Sequence, residues 1–410
     1  MSNCELIKLS NGMLVALVPC EAESVAFGLF VKSGSRHEPA KFGGISHFIE
    51  HMLFKGTPKR SPIEITRAVE GRGGNFNAFT SEESTGYFAQ MPREYLAEAV
   101  DIITDMYLNA TIPETEFHRE REVVLEEIKM YSDEPDAVAM ENLQRALFPR
   151  SSLGAPVAGT EKTLRNLTPE DLKNYIARHY RPDNTVAVIA GCFGRDEAIS
   201  ILEKSFEHFR HSRVRECTSP VDFSVPTVPE VKVEKDILQT QIALGYRMFG
   251  ADDERKYAAS VLDALLGRGM SSRLFQEIRE KRGLSYDISS RLHLFSDAGM
   301  LSITAGVDSK KVDNTLLVID REIKKLCSKK VSQAELKRTK EYLCGNFRIS
   351  HERVTSKLFF YGSLLLSTRK LASPEEQVSR IMKVTSDDVI SVAREIFTVN
   401  NRSLSIVSSR

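Results

Sequence analysis

Two copies of one pattern, far apart in the chain, limit the folds open to it. Leu167-Thr-Pro-Glu-Asp-Leu172 starts a helical stretch ending near Ala177-Arg178, and Val384-Thr-Ser-Asp-Asp-Val389 starts another ending near Ala393-Arg394. A β-branched run follows each, Thr185 to Ile189 and Leu404 to Val407. Similar capping of two unrelated helices would explain the caps alone. Agreement in cap, helix length and following strand points to a duplicated α+β domain. The flanking periodicity fits two such halves. In the first, strands are expected at 13–20, 24–32, 75–91 and 184–191. Helices are expected at 43–55, 61–71, 93–109, 114–132, 136–147 and 169–179. The second half repeats this outline, with strands near 231–248 and 284–307 and helices near 255–266 and 271–282. Further helices are expected at 309–327, 332–350, 354–368 and 373–383. Residues 209–230 carry three prolines and no periodicity, which reads as a linker. With 410 residues, the chain is also too long for one ordinary core. The expected division is a domain at 1–210, a linker at 211–230 and a homologous domain at 231–410.

Residues 47–51 read His-Phe-Ile-Glu-His. On a helix, positions i and i+4 share a face, so His47 and His51 can chelate one ion, with Glu50 bordering them. This reverses the H-E-x-x-H order and matches H-x-x-E-H, in which the glutamate is a general base rather than a ligand. The plain alternative is a surface helix with two solvated histidines. Against it, Gly43-Gly44 precedes the motif and Met52-Leu53-Phe54 follows, so the helix should pack in a core. A catalytic zinc site takes three protein ligands and one open position. The third ligand should come from the helix at 114–132. At about 100° per residue, Val123, Val124, Ile128 and Tyr131 share a face that also holds Glu120 and Glu127. A carboxylate on a core face is costly unless paired or metal-bound. Glu127 is therefore expected as the ligand and Glu120 as a carboxylate orienting a histidine, a buried salt bridge or a cap being the alternative.

Gly-Gly-Ile-Ser-His-Phe-Ile-Glu-His-Met-Leu-Phe-Lys-Gly-Thr (43–57) resembles the signature of the pitrilysin–insulysin metallopeptidases, in the half-length branch of the mitochondrial processing peptidase subunits and their bacterial relatives. The Glu120 to Glu127 stretch is similar to that family's third-ligand helix. The resemblance implies two homologous domains, each a mostly antiparallel sheet packed with helices, forming half of a clamshell chamber. It implies one Zn2+ per chain and hydrolysis of short or unfolded peptides, with Glu50 taking a proton from the attacking water. Asn75 to Tyr87 resembles an edge strand on which Asn77 and Ala78 bind substrate backbone. Leu274 to Tyr286 resembles a segment whose arginine and tyrosine, here Arg279 and Tyr286, grip the substrate carbonyl. Leu266-Gly-Arg-Gly-Met270 resembles the family's glycine-rich loop. Ser46 and Ser285 stand where alanine is common, and Arg268 interrupts the glycine run; none removes a group the chemistry needs. In half-length relatives the Arg/Tyr pair acts from a partner subunit, which implies a homodimer or a heterodimer with an inactive paralogue. A non-catalytic, peptide-binding or scaffold subunit is the alternative.

Lys plus Arg and Asp plus Glu each total 56, a balance that argues against nucleic acid as main partner. No stretch of eighteen apolar residues occurs, so no membrane span is expected. The start lacks the pattern of a secretory signal, and the six cysteines form no C-x-x-C pair. A cytoplasmic location with free thiols is the expectation.

Overall fold

The structure, a computed structural model, describes residues 4–209 and 218–409. Its first sheet comprises β1 (Glu5–Lys8), β2 (Leu14–Pro19), β3 (Ser24–Val31), β4 (Asn75–Thr80), β5 (Thr85–Pro92) and β6 (Thr185–Gly191), in the order β1-β2-β6-β3-β5-β4. The second comprises β7 (Glu230–Lys235), β8 (Thr240–Met248), β9 (Ser285–Leu294), β10 (Gly299–Val307) and β11 (Arg402–Ser409), in the order β7-β11-β8-β10-β9. The pair β2/β6 is parallel and so is β7/β11; every other ladder is antiparallel. Side by side, β2-β6-β3-β5-β4 and β7-β11-β8-β10-β9 are one chain path used twice. The fold is α+β, built of two domains of sheet and helices. The repeated helix starts carry the same cap: Thr168 with Asp171, and Thr385 with Asp388, each exchange hydroxyl, carboxylate and backbone hydrogen bonds.

The first half supplies helices α1 (Ile45–Leu53), α2 (Pro62–Glu70), α3 (Leu96–Asn109), α4 (Glu114–Asp133) and α5 (Pro135–Leu147). Phe48 and Met52 of α1, Ile103 of α3 and Phe117 of α4 join Phe27 and Leu29 of β3 in one core. β3 is buried from Val25 to Val31 and β6 throughout, on both pleat faces. Strands so apolar need cover on both sides. The second face of this sheet is covered by helix Val354–Thr368, whose Leu358, Tyr361 and Leu365 pack on Ala16, Ala26, Phe30 and Val188. At Gly362 a Cβ would lie 2.4 Å from the Phe30 ring, so only glycine allows this approach. The reciprocal cover comes from α5, whose Ala139, Leu143 and Leu147 pack with Ala243, Met300 and Val407 of the second sheet.

The two compact units therefore do not follow the expected 1–210, 211–230 and 231–410 segments. One comprises Met1–Ile128, Ala155–Thr218 and Arg348–Ser373 in its described part, the other Lys129–Gly154, Ser219–Phe347 and Pro374–Arg410. Of the expected linker, 211–217 lie outside the described residues, as do 1–3. From Ser219 on it belongs to the second unit: Val221 N–H donates to Asp297, and Val225 O accepts from Arg247. The helix expected at 271–282 is a π-helical turn, Phe275–Glu280. No helix among the described residues is long and apolar enough to cross a membrane.

Candidate metal centre

Helix α1 begins at Gly44, whose φ of 91° lies in the left-handed region and whose Cβ, if present, would sit 2.5 Å from Ala158 O. The Glu38 carboxylate accepts from Gly44 N at 2.7 Å and from Ser46 N at 2.8 Å, capping the helix start. Burial pushes the Glu38 carboxyl up to about 7, although these hydrogen bonds oppose the shift. One face of α1 (Ile45, Phe48, Ile49, Met52, Leu53) is fully buried; His47, Glu50 and His51 occupy a half-buried flank. Phe48 stacks on Phe117 with ring centroids 4.8 Å apart, which seats α4 against α1.

On α4 the buried residues are Phe117, Glu120, Val124 and Leu125. The face expected from periodicity was centred too far to one side: Val123 is 46% and Tyr131 45% exposed. The arc turns toward Phe117, which leaves Glu120 inside the core edge and Glu127 half-buried at its margin. Glu122 and Glu126 are exposed, as expected.

The Glu127 carboxylate oxygen Oε2 lies 3.8 Å from His47 Nε2 and 3.5 Å from His51 Nε2. Donor atoms of the three residues all lie within 4.8 Å of one another. These gaps are long for hydrogen bonds. They suit ligands around one ion, because zinc bonds of about 2.0–2.1 Å place tetrahedral ligand atoms roughly 3.4 Å apart. The His/His/carboxylate donor set is also one that zinc takes. Burial, with His51 nearby, pushes His47 down to about 4, so its imidazole is neutral at physiological pH as a ligand must be. His51 Nδ1 faces Glu120 Oε2 at 3.2 Å, and Glu120 Oε1 is held by Lys55 Nζ at 2.5 Å. Burial works to raise the Glu120 carboxyl, but His51 and Lys55 outweigh it and hold it below the usual range. Among the described residues His47 Nδ1 is buried without a hydrogen-bond partner, so the two histidines are not equally braced.

Glu50 sits beside this group. Burial raises its carboxyl above the usual range, against a hydrogen bond from Thr80. Thr80 Oγ1 donates to Glu50 Oε2 at 2.5 Å. Asn77 and Ala78 lie on β4, the outer strand of the first sheet, where Asn77 Oδ1 accepts from Ala78 N–H at 2.8 Å. Arg279 and Tyr286 belong to the other unit. They meet each other there: the Arg279 guanidinium lies 4.5 Å from the Tyr286 ring centroid and 4.9 Å from that of Phe275. Tyr286 is 76% exposed. Sequence reasoning did not single out Glu38, Lys55 or Thr80. A signal existed only for Thr80, which shares its pleat face with Ala78 two residues earlier.

Residues 14–161 match the family described as Insulinase (Peptidase family M16), and residues 166–343 match the Peptidase M16 inactive domain. An uncharacterized zinc protease of Bacillus subtilis, YmxG, is 35% identical over 92% of this chain and 91% of its own length. An uncharacterized zinc protease of Rickettsia felis is 33% identical over 97% of this chain and 95% of its own length. Among solved structures, a protease from Helicobacter pylori superposes with a TM-score of 0.92 at 22% identity, covering both chains fully. A chain of Candida albicans complex III2 reaches 0.87 at 22% identity, covering 98% of this chain and 95% of that one. With a metal-type cluster in the half that matches the insulinase description and curated relatives similar along almost its whole length, this chain belongs to the insulinase family of peptidases, M16.

Proposed function

We propose that the chain is a zinc-dependent endopeptidase acting on short or unfolded polypeptides. The observation that carries the reading is the convergence of His47, His51 and Glu127 beside a half-buried carboxylate, Glu50, that is not among the ligands. When bound there, zinc supplies Lewis acidity toward water and the scissile carbonyl. Glu50 takes the proton of the attacking water and returns it to the leaving amine, a role its raised carboxyl suits. Glu120, anchored by Lys55, fixes the His51 ring. Asn77 and Ala78 receive the substrate backbone along the outer edge of β4. Arg279 and Tyr286 donate to the oxygen that gains charge.

The segment described as an inactive domain, 166–343, holds Arg279 and Tyr286 but neither Glu50 nor the three candidate metal ligands, which lie within 14–161. That description favours a second reading, a peptide-binding or scaffold subunit that holds metal without cleaving. Dialysis against a chelator followed by zinc add-back separates the two. Loss and recovery of cleavage supports the peptidase; zinc uptake with no cleavage at any stage supports the scaffold. Mixing Arg279→Ala chains with Glu50→Gln chains tests the proposed dimer. Activity regained only in the mixture means that Arg279 serves the metal centre of a partner copy.

A further inference from the structure

We infer that Thr80 is the positioning residue of the catalytic base, an inference that rests on the peptidase reading. Thr80 is the only hydrogen-bond partner of Glu50 among the described residues. Its hydroxyl engages Oε2, which turns the other carboxylate oxygen, Oε1, free for water. A half-buried glutamate on a short helix has several rotamers open to it, and one short hydrogen bond selects among them.

The strand end that carries Thr80 is itself fixed. Thr85, fully buried across the hairpin, commits its hydroxyl hydrogen to Ser33 O at 2.8 Å. Its oxygen lies 3.5 Å from Thr80 Oγ1 and has only acceptor capacity left; the Glu50 carboxylate at 2.5 Å is the nearer and stronger acceptor, so the Thr80 hydroxyl hydrogen goes to Glu50. The hairpin tip is clamped from outside. Ser35 N donates to Ser81 O at 3.3 Å, Arg36 N donates to Glu82 O at 2.8 Å, and the Arg36 guanidinium pairs with Glu83 at 2.6 Å. A Cβ at Gly34 would fall 2.2 Å from Ser81 O, so this segment lies directly on the tip. The same segment continues to Glu38, which caps α1. One stretch, 34–38, thus braces both the helix that carries Glu50 and the strand end that orients it. Thr80 acts through Glu50 and touches no substrate atom in this scheme.

The test compares Thr80→Val, which keeps the shape and loses the hydroxyl, with Thr80→Ser, which keeps the hydroxyl. Zinc content, thermal midpoint, kcat and KM are measured on the full chain with a quenched peptide. The expected result is a kcat about 10- to 100-fold lower in Thr80→Val, with KM and bound zinc unchanged, and a kcat within about threefold of wild type in Thr80→Ser. If Thr80→Val does not fold, Thr80→Ala takes its place against Thr80→Ser. Equal kcat in wild type and the hydroxyl-free variant overturns the inference, as does equal damage in Thr80→Ser, which would mean that packing alone matters. A zinc-loaded wild type that cleaves nothing overturns the peptidase reading itself, and this role with it.

Discussion

Lys55 binds no metal in this account, yet it acts on the metal through two contacts. It holds Glu120 at 2.5 Å, and Glu120 faces His51 Nδ1 at 3.2 Å. Lys55→Met should leave the fold intact and weaken zinc binding by about tenfold, read by chelator competition, since groups that brace a ligating histidine carry effects of that size. Unchanged affinity would show that Glu120 needs no anchor. Glu38 gives a pH signature. Its folded carboxyl titrates at about 7 against 4.5 for the free group, so the unfolded chain gives up its proton first as pH rises. Its contribution therefore falls between pH 4.5 and 7 and is lowest above that window. Glu38→Gln removes this dependence. Relative to wild type, the variant should gain stability from pH 5 to pH 7 in urea melts; a constant difference would contradict the assignment. At this scale the spacing alone puts His47, Glu50 and His51 on one flank of α1, because i, i+3 and i+4 are fixed by helix geometry. Lys55, Thr80 and Glu38 meet their partners only through tertiary packing, which no local spacing encodes.

Among elements, α1 and α4 have to be held side by side, and Phe48 on Phe117 does this. Phe117→Ala should cost about 3–5 kcal/mol in denaturant melts, and zinc affinity should fall with it as α4 loosens. A variant that loses stability but keeps zinc affinity would place the register of the two helices elsewhere. Element positions followed periodicity closely for α1, α4 and strands β2 to β11. Two departures stand out. The buried arc of α4 is set by Phe117 and Leu125, so Val123, an apolar residue off that arc, misled a count of apolar positions. The expected helix at 271–282 shortens to a π-helical turn.

The whole molecule is two domains that exchange helices. The duplication was legible in the paired caps and following strands, but the exchange was not. β3 and β6 are apolar on both faces, which says that something covers them without saying which segment does. Residues 1–210 made alone would lack helix Val354–Thr368 and expose Ala16, Ala26 and Val188. That fragment should bind a hydrophobic dye and aggregate, and co-expression with 211–410 should restore a single monodisperse species on size exclusion. A stable, dye-free fragment would mean that the exchanged helix is dispensable.

The most direct test of the central claim pairs bound zinc with cleavage of a quenched peptide mixture, in wild type and Glu50→Gln. The account expects one zinc per chain in both proteins and cleavage in wild type alone. A chain without zinc, or a Glu50→Gln variant as active as wild type, would contradict it.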